Sequence, residues 1–521
     1  MSEKKQIARA AGVLGFATIL SRIMCMVRDM VVSRLFGAGY ATDAFFAAFQ
    51  IPNMLRRFFA EGALSAAFVP TFSEWHATKG EEESRKLANT CFTLLGMVMS
   101  LVTALGIIFS PLIVSLMFHG FKAQPDKLEL PILLNRLMFP YLFFISLVSL
   151  SMGILNTVRH FFTPAISTVF LNLSMILCAI LLRGIFSVPV TALAAGVLLG
   201  GFLQLLLQFP SLYRHGFRIR FSFSPGHPAV KRIALLMGPS VFGVGVYYLN
   251  IMVSALLASL LPQGSVSYLY YAQRMFEFPQ GIFTVSIAQA VLPSMSRQAA
   301  LGDLPGLKDS LAFGLRLTLF ITIPAMIGLL VCSTPIFTLL FMGGEFDYGK
   351  AVSSAEALFY YSFGLTFVAL ARVLVPAFYA LKDTRTPVIA AFFAFIINLG
   401  MSLALMGPLL HGGLALATTI SAFANMSLLL YLLRRKVGRF GGRAIMATGG
   451  KVLLASLPMA LLVSYGMRLI DWSRPGEKMI KSAALGGSVT MGILVFVICA
   501  HLLKCPEVAF AVETVRKKLK K

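Results

Sequence analysis

Long apolar runs separated by short polar loops dominate this chain. A helix rising 1.5 Å per residue needs about 20 apolar residues to cross a hydrocarbon core about 30 Å thick. Fourteen stretches qualify as candidate spans, at 11–36, 42–70, 87–118, 130–157, 162–182, 188–212, 233–261, 267–296, 309–333, 354–381, 386–407, 411–433, 445–469 and 480–503. The segment 334–353 holds only a short apolar piece, Ile336–Phe341, before GGEF, and reads as an interfacial turn.

Lysine and arginine collect in alternate loops. One side has Lys4, Lys5 and Arg9; Lys79, Arg85 and Lys86; Arg214, Arg218, Arg220, Lys231 and Arg232; Arg434, Arg435, Lys436, Arg439 and Arg443; and the tail Arg516–Lys521. The other has Lys122, Lys127, Arg183, Lys350 and a cluster around Arg468–Lys481, while loops 37–41, 262–266 and 408–410 have none. Basic loops stay inside, so both termini are expected in the cytoplasm.

Composition fits a polytopic membrane protein. Of 521 residues, 58% are hydrophobic and 13% charged, with a mean hydropathy of +0.82; soluble domains carry roughly 25% charged residues. Met1–Arg9 is basic, but the apolar run after it contains Arg22 and Arg28 and lacks a small-residue cleavage site, so it reads as a retained first helix. The net charge of +24 lies in short loops between spans, which points to topology and anionic lipid rather than nucleic acid. Six scattered cysteines (Cys25, Cys91, Cys178, Cys332, Cys499, Cys505) show neither metal-ligand spacing nor a disulfide framework and read as packing residues.

The chain repeats itself. Gly15 and Gly238, Pro70 and Pro293, and Pro164 and Pro387 are each 223 residues apart. VPTFS (69–73) matches LPSMS (292–296) and TPA (163–165) matches TPV (386–388), while FQIP (49–52) resembles FEFP (276–279) with a four-residue, one-turn length difference before the closing proline. Each repeat holds six spans, so both begin on the same side of the membrane, a parallel repeat. The expected fold is all-α, with two six-helix lobes around a central cavity and two further helices. The lobes take 1–213 and 214–436, leaving 437–521 for helices thirteen and fourteen and a basic tail.

Charged residues inside the spans carry the chemistry. Arg22, Arg28 and Asp29 lie in the first, Arg56, Arg57 and Glu61 in the second, Arg274 and Glu277 in the eighth, and Arg372 in the tenth. A charge at the bilayer centre costs at least ~2.5–3.5 kcal/mol, so such groups face protein or a wet cavity. Arg22 sits roughly 15 Å into the core, too deep to snorkel. Arg28, about 100° away, is expected to face the cavity too, the alternative being a structural Arg–Asp pair. Asp29 is expected to orient an arginine. Arg57 and Glu61, at i and i+4, neutralise each other and leave Arg56 as the freer cation. Arg274 and Glu277, at i and i+3, either serve cargo or form an internal pair. Arg372 is expected to be buried, in a structural or a functional role. Several arginines converging on one cavity suit phosphate, which their planar fork binds bidentately; drug cations would select carboxylates and aromatics instead. HExxH, GxSxG, Walker A and paired CxxC motifs are absent, which argues against an enzyme and leaves an ion gradient, the membrane potential or the cargo's own gradient as the energy source.

The stretch SRIMCMVRDMVVSRLFGAGYATDAFFAAFQIPNMLRRFFAEGALSAAFVP (21–70) closely resembles the start of the MurJ (MviN) family of lipid II flippases. YYAQRMFEFPQGIF (270–283) resembles that family's eighth-helix motif, and FYALKDTRTP (378–387) a further signature. The likeness runs over essentially the whole chain. It implies the fold of the multidrug/oligosaccharidyl-lipid/polysaccharide exporter superfamily, with helices thirteen and fourteen forming a lipid-tail groove. By motif, the family's cavity arginines fall on Arg22, Arg28, Arg56 and Arg274, and its acidic partners on Asp29, Asp43, Glu61 and Glu277. Gln50 stands where a lysine can occur, and Gln273 where an aspartate can precede the arginine; either glutamine can still hydrogen-bond a sugar or phosphate. Some relatives resemble sodium-coupled transporters with a site in helices seven, eleven and twelve. Asn250, Asn398, Ser402 and Thr419 are the polar residues there, with no carboxylate beside them.

The resemblance implies a flippase moving undecaprenyl-pyrophosphate-disaccharide-pentapeptide, lipid II, across the bacterial inner membrane. It would work as a monomer by alternating access, without a cofactor, driven by Na+ or the membrane potential. Expected partners are lipid II, membrane lipids and the cell-wall synthesis machinery, with no nucleic acid. Rivals are a flippase for another polyprenyl-linked glycan, a cation-coupled drug exporter of the same superfamily, and a membrane enzyme acting on polyprenyl phosphates.

Overall fold

The apolar runs fold as helices, whose internal hydrogen bonds satisfy the backbone where no water can. A computed structural model describes residues 3–56, 64–118, 120 and 128–508. Among them no strand occurs; a single β-bridge joins Gly343 and Phe346. The chain divides into two compact units, Met1–Val266 and Ser267–Lys521.

The first unit contains α1 (Glu3–Phe36), α2 (Tyr40–Arg56), α3 (Ser65–Ile108), α4 (Ser110–Met117), α5 (Glu129–Met138), α6 (Pro140–Thr157), α7 (Phe162–Leu182), α8 (Thr191–Arg214) and α9 (Pro228–Ser259). Helix α7 packs on α1 and α8, α3 on α6 and α9, and α2 on α5. At Gly196 of α8 a Cβ would lie 2.7 Å from the Met175 Cα, so glycine is what lets α7 and α8 approach. Small residues of this kind set helix contacts in membranes, where lipid is as apolar as leucine and packing rather than water exclusion drives association. Helix α3 is broken at Gly80 (φ 82°), between the expected second and third spans.

The second unit begins within α10 (Ser265–Pro279) and continues through a π-turn (Gln280–Thr284), α11 (Val285–Ala300), α12 (Leu304–Leu340), α13 (Tyr348–Ser362), α14 (Leu365–Ala380), α15 (Arg385–Val437), α16 (Gly442–Arg468) and α17 (Lys478–Leu502). Helix α12 is its spine. Leu307, Leu311, Leu315, Leu319, Ile323 and Ile327 recur every fourth residue and are buried, the spacing of one helix face. Val452, Ala455, Met459 and Val463 of α16 belong to the same core, and Phe320 meets Phe496 of α17 at 5.3 Å between ring centroids. The two appended helices are thus bound to the second unit along α12. Their outer side is apolar and open, Leu454 and Leu461 included.

Two boundaries differ from the sequence expectation. Ile336–Phe341 does not form a separate interfacial turn: α12 runs on to Leu340, because the apolar pattern continues through Pro335. Helix α15 carries both the eleventh and the twelfth expected spans, broken at Leu410 (φ 48°). By length and composition, eight helices among the described residues can cross a membrane, or nine if α13 and α14, bent by 44°, are one span. That is fewer than the fourteen expected spans; α15 alone covers two of them, and the count takes in the described residues only.

Candidate functional site

On α1 the two arginines occupy different environments. Arg22 is partly exposed, on the same side as the exposed Ile19 and Ile23. It has no hydrogen-bond or ion-pair partner among the described residues. Arg28 faces inward and is 4% exposed, with Asp29 at 2%. Its Nε and Nη2 donate to Asp29 Oδ1 at 3.0 and 2.7 Å, and its Nη1 donates to Asn172 Oδ1 of α7 at 3.0 Å. Cys25 and Met175 sulfurs lie at 3.4 and 3.9 Å. A guanidinium so enclosed is a buried pair tying α1 to α7, not the open, cavity-facing cation expected. Asp29 orients Arg28, the adjacent residue, rather than Arg22 two turns back. Sequence reasoning missed Asn172; its signal was a lone amide in the apolar run FLNLSM.

On α2, Asp43 is 2% exposed and accepts the Gly264 N–H at 2.6 Å. Gly264 has φ 94°, so this carboxylate holds the tight turn that leads into α10, a contact 221 residues away in sequence. Gln50 donates to the Ile251 carbonyl of α9 at 3.4 Å. Arg56 is partly exposed, and its Nε and Nη2 donate to Asn53 Oδ1 one turn back, at 3.2 and 3.0 Å. Arg57 and Glu61 lie outside the described residues.

In the second unit α10 gathers a compact polar group. Glu277 accepts from Arg274 Nη1 at 3.3 Å and from Gln273 Nε2 at 3.1 Å. Arg274 Nη2 donates to Tyr270 Oη at 3.2 Å, and the guanidinium lies over the Tyr270 ring, 4.9 Å from its centroid. The carboxylate and the phenol fix the direction of a fork whose side chain stays 24% exposed. The pair is an internal ion pair, and its cation stays partly exposed. Pro279 and the π-turn follow directly. Proline removes a backbone donor and crowds the carbonyl four residues back, and a π-turn absorbs the misfit, so α10 and α11 meet at a bend point. Within the turn Gln280 Nε2 and Thr284 Oγ1 are buried without a protein partner among the described residues.

Arg372 of α14 is exposed rather than buried, because Val373, Leu374 and Ala377 supply that helix's inward face. Asn398 Nδ2 donates to Thr418 at 3.4 Å, Thr419 Oγ1 donates to the Tyr360 carbonyl at 2.8 Å, and Ser402 is buried. Asn250 belongs to α9 of the first unit. No group of three His, Cys, Asp or Glu able to hold a metal occurs among the described residues. All six cysteines are free thiols.

Long apolar helices in two units, with cations held inside the spans, define a multi-pass membrane transporter. The fold is shared with an inward-facing multidrug resistance MATE family transporter of the MOP superfamily, at a TM-score of 0.65 and 14% identity over 80% of this chain and 94% of that one. A nearer structural match is "Lipid II flippase MurJ, inward closed conformation", at a TM-score of 0.78 and 28% identity, covering 94% of this chain and 98% of that one. The family model for "Lipid II flippase MurJ" matches residues 32–475. Curated relatives include the "Probable lipid II flippase MurJ" of Vibrio cholerae, 38% identical over 89% of this chain and 92% of the relative. The "Lipid II flippase MurJ" of Burkholderia cenocepacia is 37% identical over 82% and 83%. The chain belongs to the lipid II flippase MurJ family.

Proposed function

We propose that this protein carries lipid II from the inner to the outer leaflet of the bacterial cytoplasmic membrane, supplying peptidoglycan synthesis. Family membership over residues 32–475 is the observation that carries this reading. The side chains give it a chemistry. Arg22 is a deep cation without a protein partner among the described residues, and Arg274 is an aimed, accessible fork; Arg56 is a third partly exposed guanidinium. Planar guanidinium groups suit a pyrophosphate because each can give two parallel charge-assisted hydrogen bonds.

In this reading Arg22, Arg56 and Arg274 hold pyrophosphate and sugar, with Gln50 and Gln273 at their edge. Arg28, Asp29, Asp43 and Glu277 position the helices and forks that do so. The polyprenyl tail stays in lipid or against the open apolar side of α16 and α17, since moving each CH₂ into water costs about 0.8 kcal/mol. Bending at Pro52 and at the Pro279 π-turn supplies the alternation of access. No bond is made or broken, and the energy comes from an ion gradient, Na+ included, or from the membrane potential. The protein acts as a monomer with both termini in the cytoplasm, beside the enzymes that supply and consume the lipid.

Depletion tests this reading. Cells losing the protein should accumulate lipid II in the inner leaflet before they lyse, while other polyprenyl-linked glycans keep reaching the outer face. Normal outer-leaflet lipid II in depleted cells would refute it.

A further inference from the structure

At one end of the first unit, on the side that loop charge assigns to the cytoplasm, three connections surround a cavity of about 710 Å³. Its wall presents Arg85, Arg159, Arg214, His76 and His215 against one carboxylate, Glu81. That carboxylate is already bound by Arg85 at 2.9 Å. His160 lies 5.0 Å from His215, ring to ring; burial first, then His215 and Arg214, hold its imidazole below the ordinary value, as positive charge in excess should. Such a wall calls for an anion.

From this cavity the chain runs out as an extended segment. Phe217 turns inward beside Phe72 and His76, at 6.0 and 6.5 Å between ring centroids. Arg220 N–H then donates to Asn89 Oδ1 at 3.1 Å and Ser222 N–H to Thr93 Oγ1 at 3.0 Å, tying the segment along α3. Alternation along an extended chain sends every second side chain the same way, and Ile219, Phe221 and Phe223 are 39%, 81% and 58% exposed. Arg218 and Arg220 interleave with them, and Arg218 lies 4.7 Å over the exposed Tyr213 ring. Outward apolar and aromatic side chains interleaved with arginines are the chemistry of a membrane–water interface, where stems and rings sit in acyl chains and charges reach headgroups.

We propose that this corner binds an anionic glycerophospholipid of the cytoplasmic leaflet. Its phosphate sits in the cavity between Arg85, Arg159 and Arg214, and its acyl chains lie against Ile219, Phe221 and Phe223. Cation and apolar surface are contiguous here, which a free anion would not need. The site lies wholly within the first unit and uses none of the residues assigned to cargo, so it stands or falls apart from the flippase reading.

The test uses full-length protein purified in neutral detergent, with lipid retention read by native mass spectrometry and thermal midpoint read in parallel. Phosphatidylglycerol should remain bound and raise the midpoint, whereas phosphatidylcholine and inorganic phosphate should do neither. Arg159→Gln with Arg214→Gln should weaken phosphatidylglycerol retention about tenfold or more, from two lost cation contacts at a charged surface. Phe221→Ser with Phe223→Ser, at surface positions that do not threaten folding, should weaken it as well. Equal retention of phosphatidylglycerol and phosphatidylcholine, or undiminished retention by the arginine pair, overturns the proposal. An equal midpoint shift from inorganic phosphate overturns it in favour of a soluble-anion site.

Discussion

Removing one partner of the Arg28–Asp29 pair should cost stability, not merely activity. Arg28→Leu leaves the Asp29 carboxylate 2% exposed without the two donor contacts at 3.0 and 2.7 Å. It also leaves Asn172 Oδ1 without its donor at 3.0 Å. Breaking a buried ion pair from one side costs about 3–5 kcal/mol, while replacing both partners with apolar groups is often near neutral. The orphaned Asn172 acceptor adds about 1–3 kcal/mol in either case. Together these terms should lower the folding equilibrium of Arg28→Leu by roughly three to six orders of magnitude. The double variant Arg28→Leu with Asp29→Leu should recover most of that loss, a coupling that a double-mutant cycle isolates. The assay is thermal unfolding of detergent-purified protein, followed as loss of the monodisperse species on size exclusion. Wild-type melting by Arg28→Leu, or a double variant less stable than either single one, would refute the buried-pair reasoning and return Arg28 to the open cavity.

Arg22→Ala should melt like wild type yet fail to support growth, and Arg22→Lys should rescue partly, because it keeps the charge but loses the fork; complementation beside a melting curve checks both. Thr284→Val, which removes a buried hydroxyl without a protein partner among the described residues, should raise the melting midpoint and slow transport by stiffening the Pro279 bend; a lowered midpoint would contradict it. Asp383, in the α14–α15 loop, is held well below the ordinary carboxylate value by Lys436, 2.7 Å away, and by the Thr386 N–H and hydroxyl. A depressed folded value stabilises above the unfolded carboxyl's value of about 4 and loses that contribution as pH falls below it. The melting gap between wild type and Asp383→Asn should thus be widest near neutral pH and shrink towards pH ~3; a gap that widens in acid would be the wrong sign.

Apolar length made most helices legible, and a 223-residue offset between prolines exposed the repeat. What periodicity could not fix was where a helix stops. The Ile336–Phe341 piece was too short to span by itself, yet α12 continues through Pro335 to Leu340, packed on α13, α14 and α16. That arginines fall within the apolar runs was legible too, since it follows from counting residues along a span. Their partners were not. Asn172 lies 144 residues from Arg28 and Gly264 lies 221 from Asp43; only tertiary packing brings them together, so the chain text could not separate the enclosed Arg28 from the open Arg22. Arg372 was misread for a related reason: depth along a helix says nothing of which face a side chain occupies.

The most direct test of the transport claim is translocation itself. Purified protein in proteoliposomes, with fluorescent lipid II in both leaflets and a membrane-impermeant quencher outside, reports lipid II crossing as quenching beyond the outer-leaflet half. The account predicts quenching well beyond that half for wild type, little beyond it for Arg22→Ala and Arg274→Ala, and little for a polyprenyl-linked glycan of different sugar structure. Quenching that stops at the outer-leaflet half for wild type under an imposed ion gradient and membrane potential, or transport undiminished in both arginine variants, would contradict it.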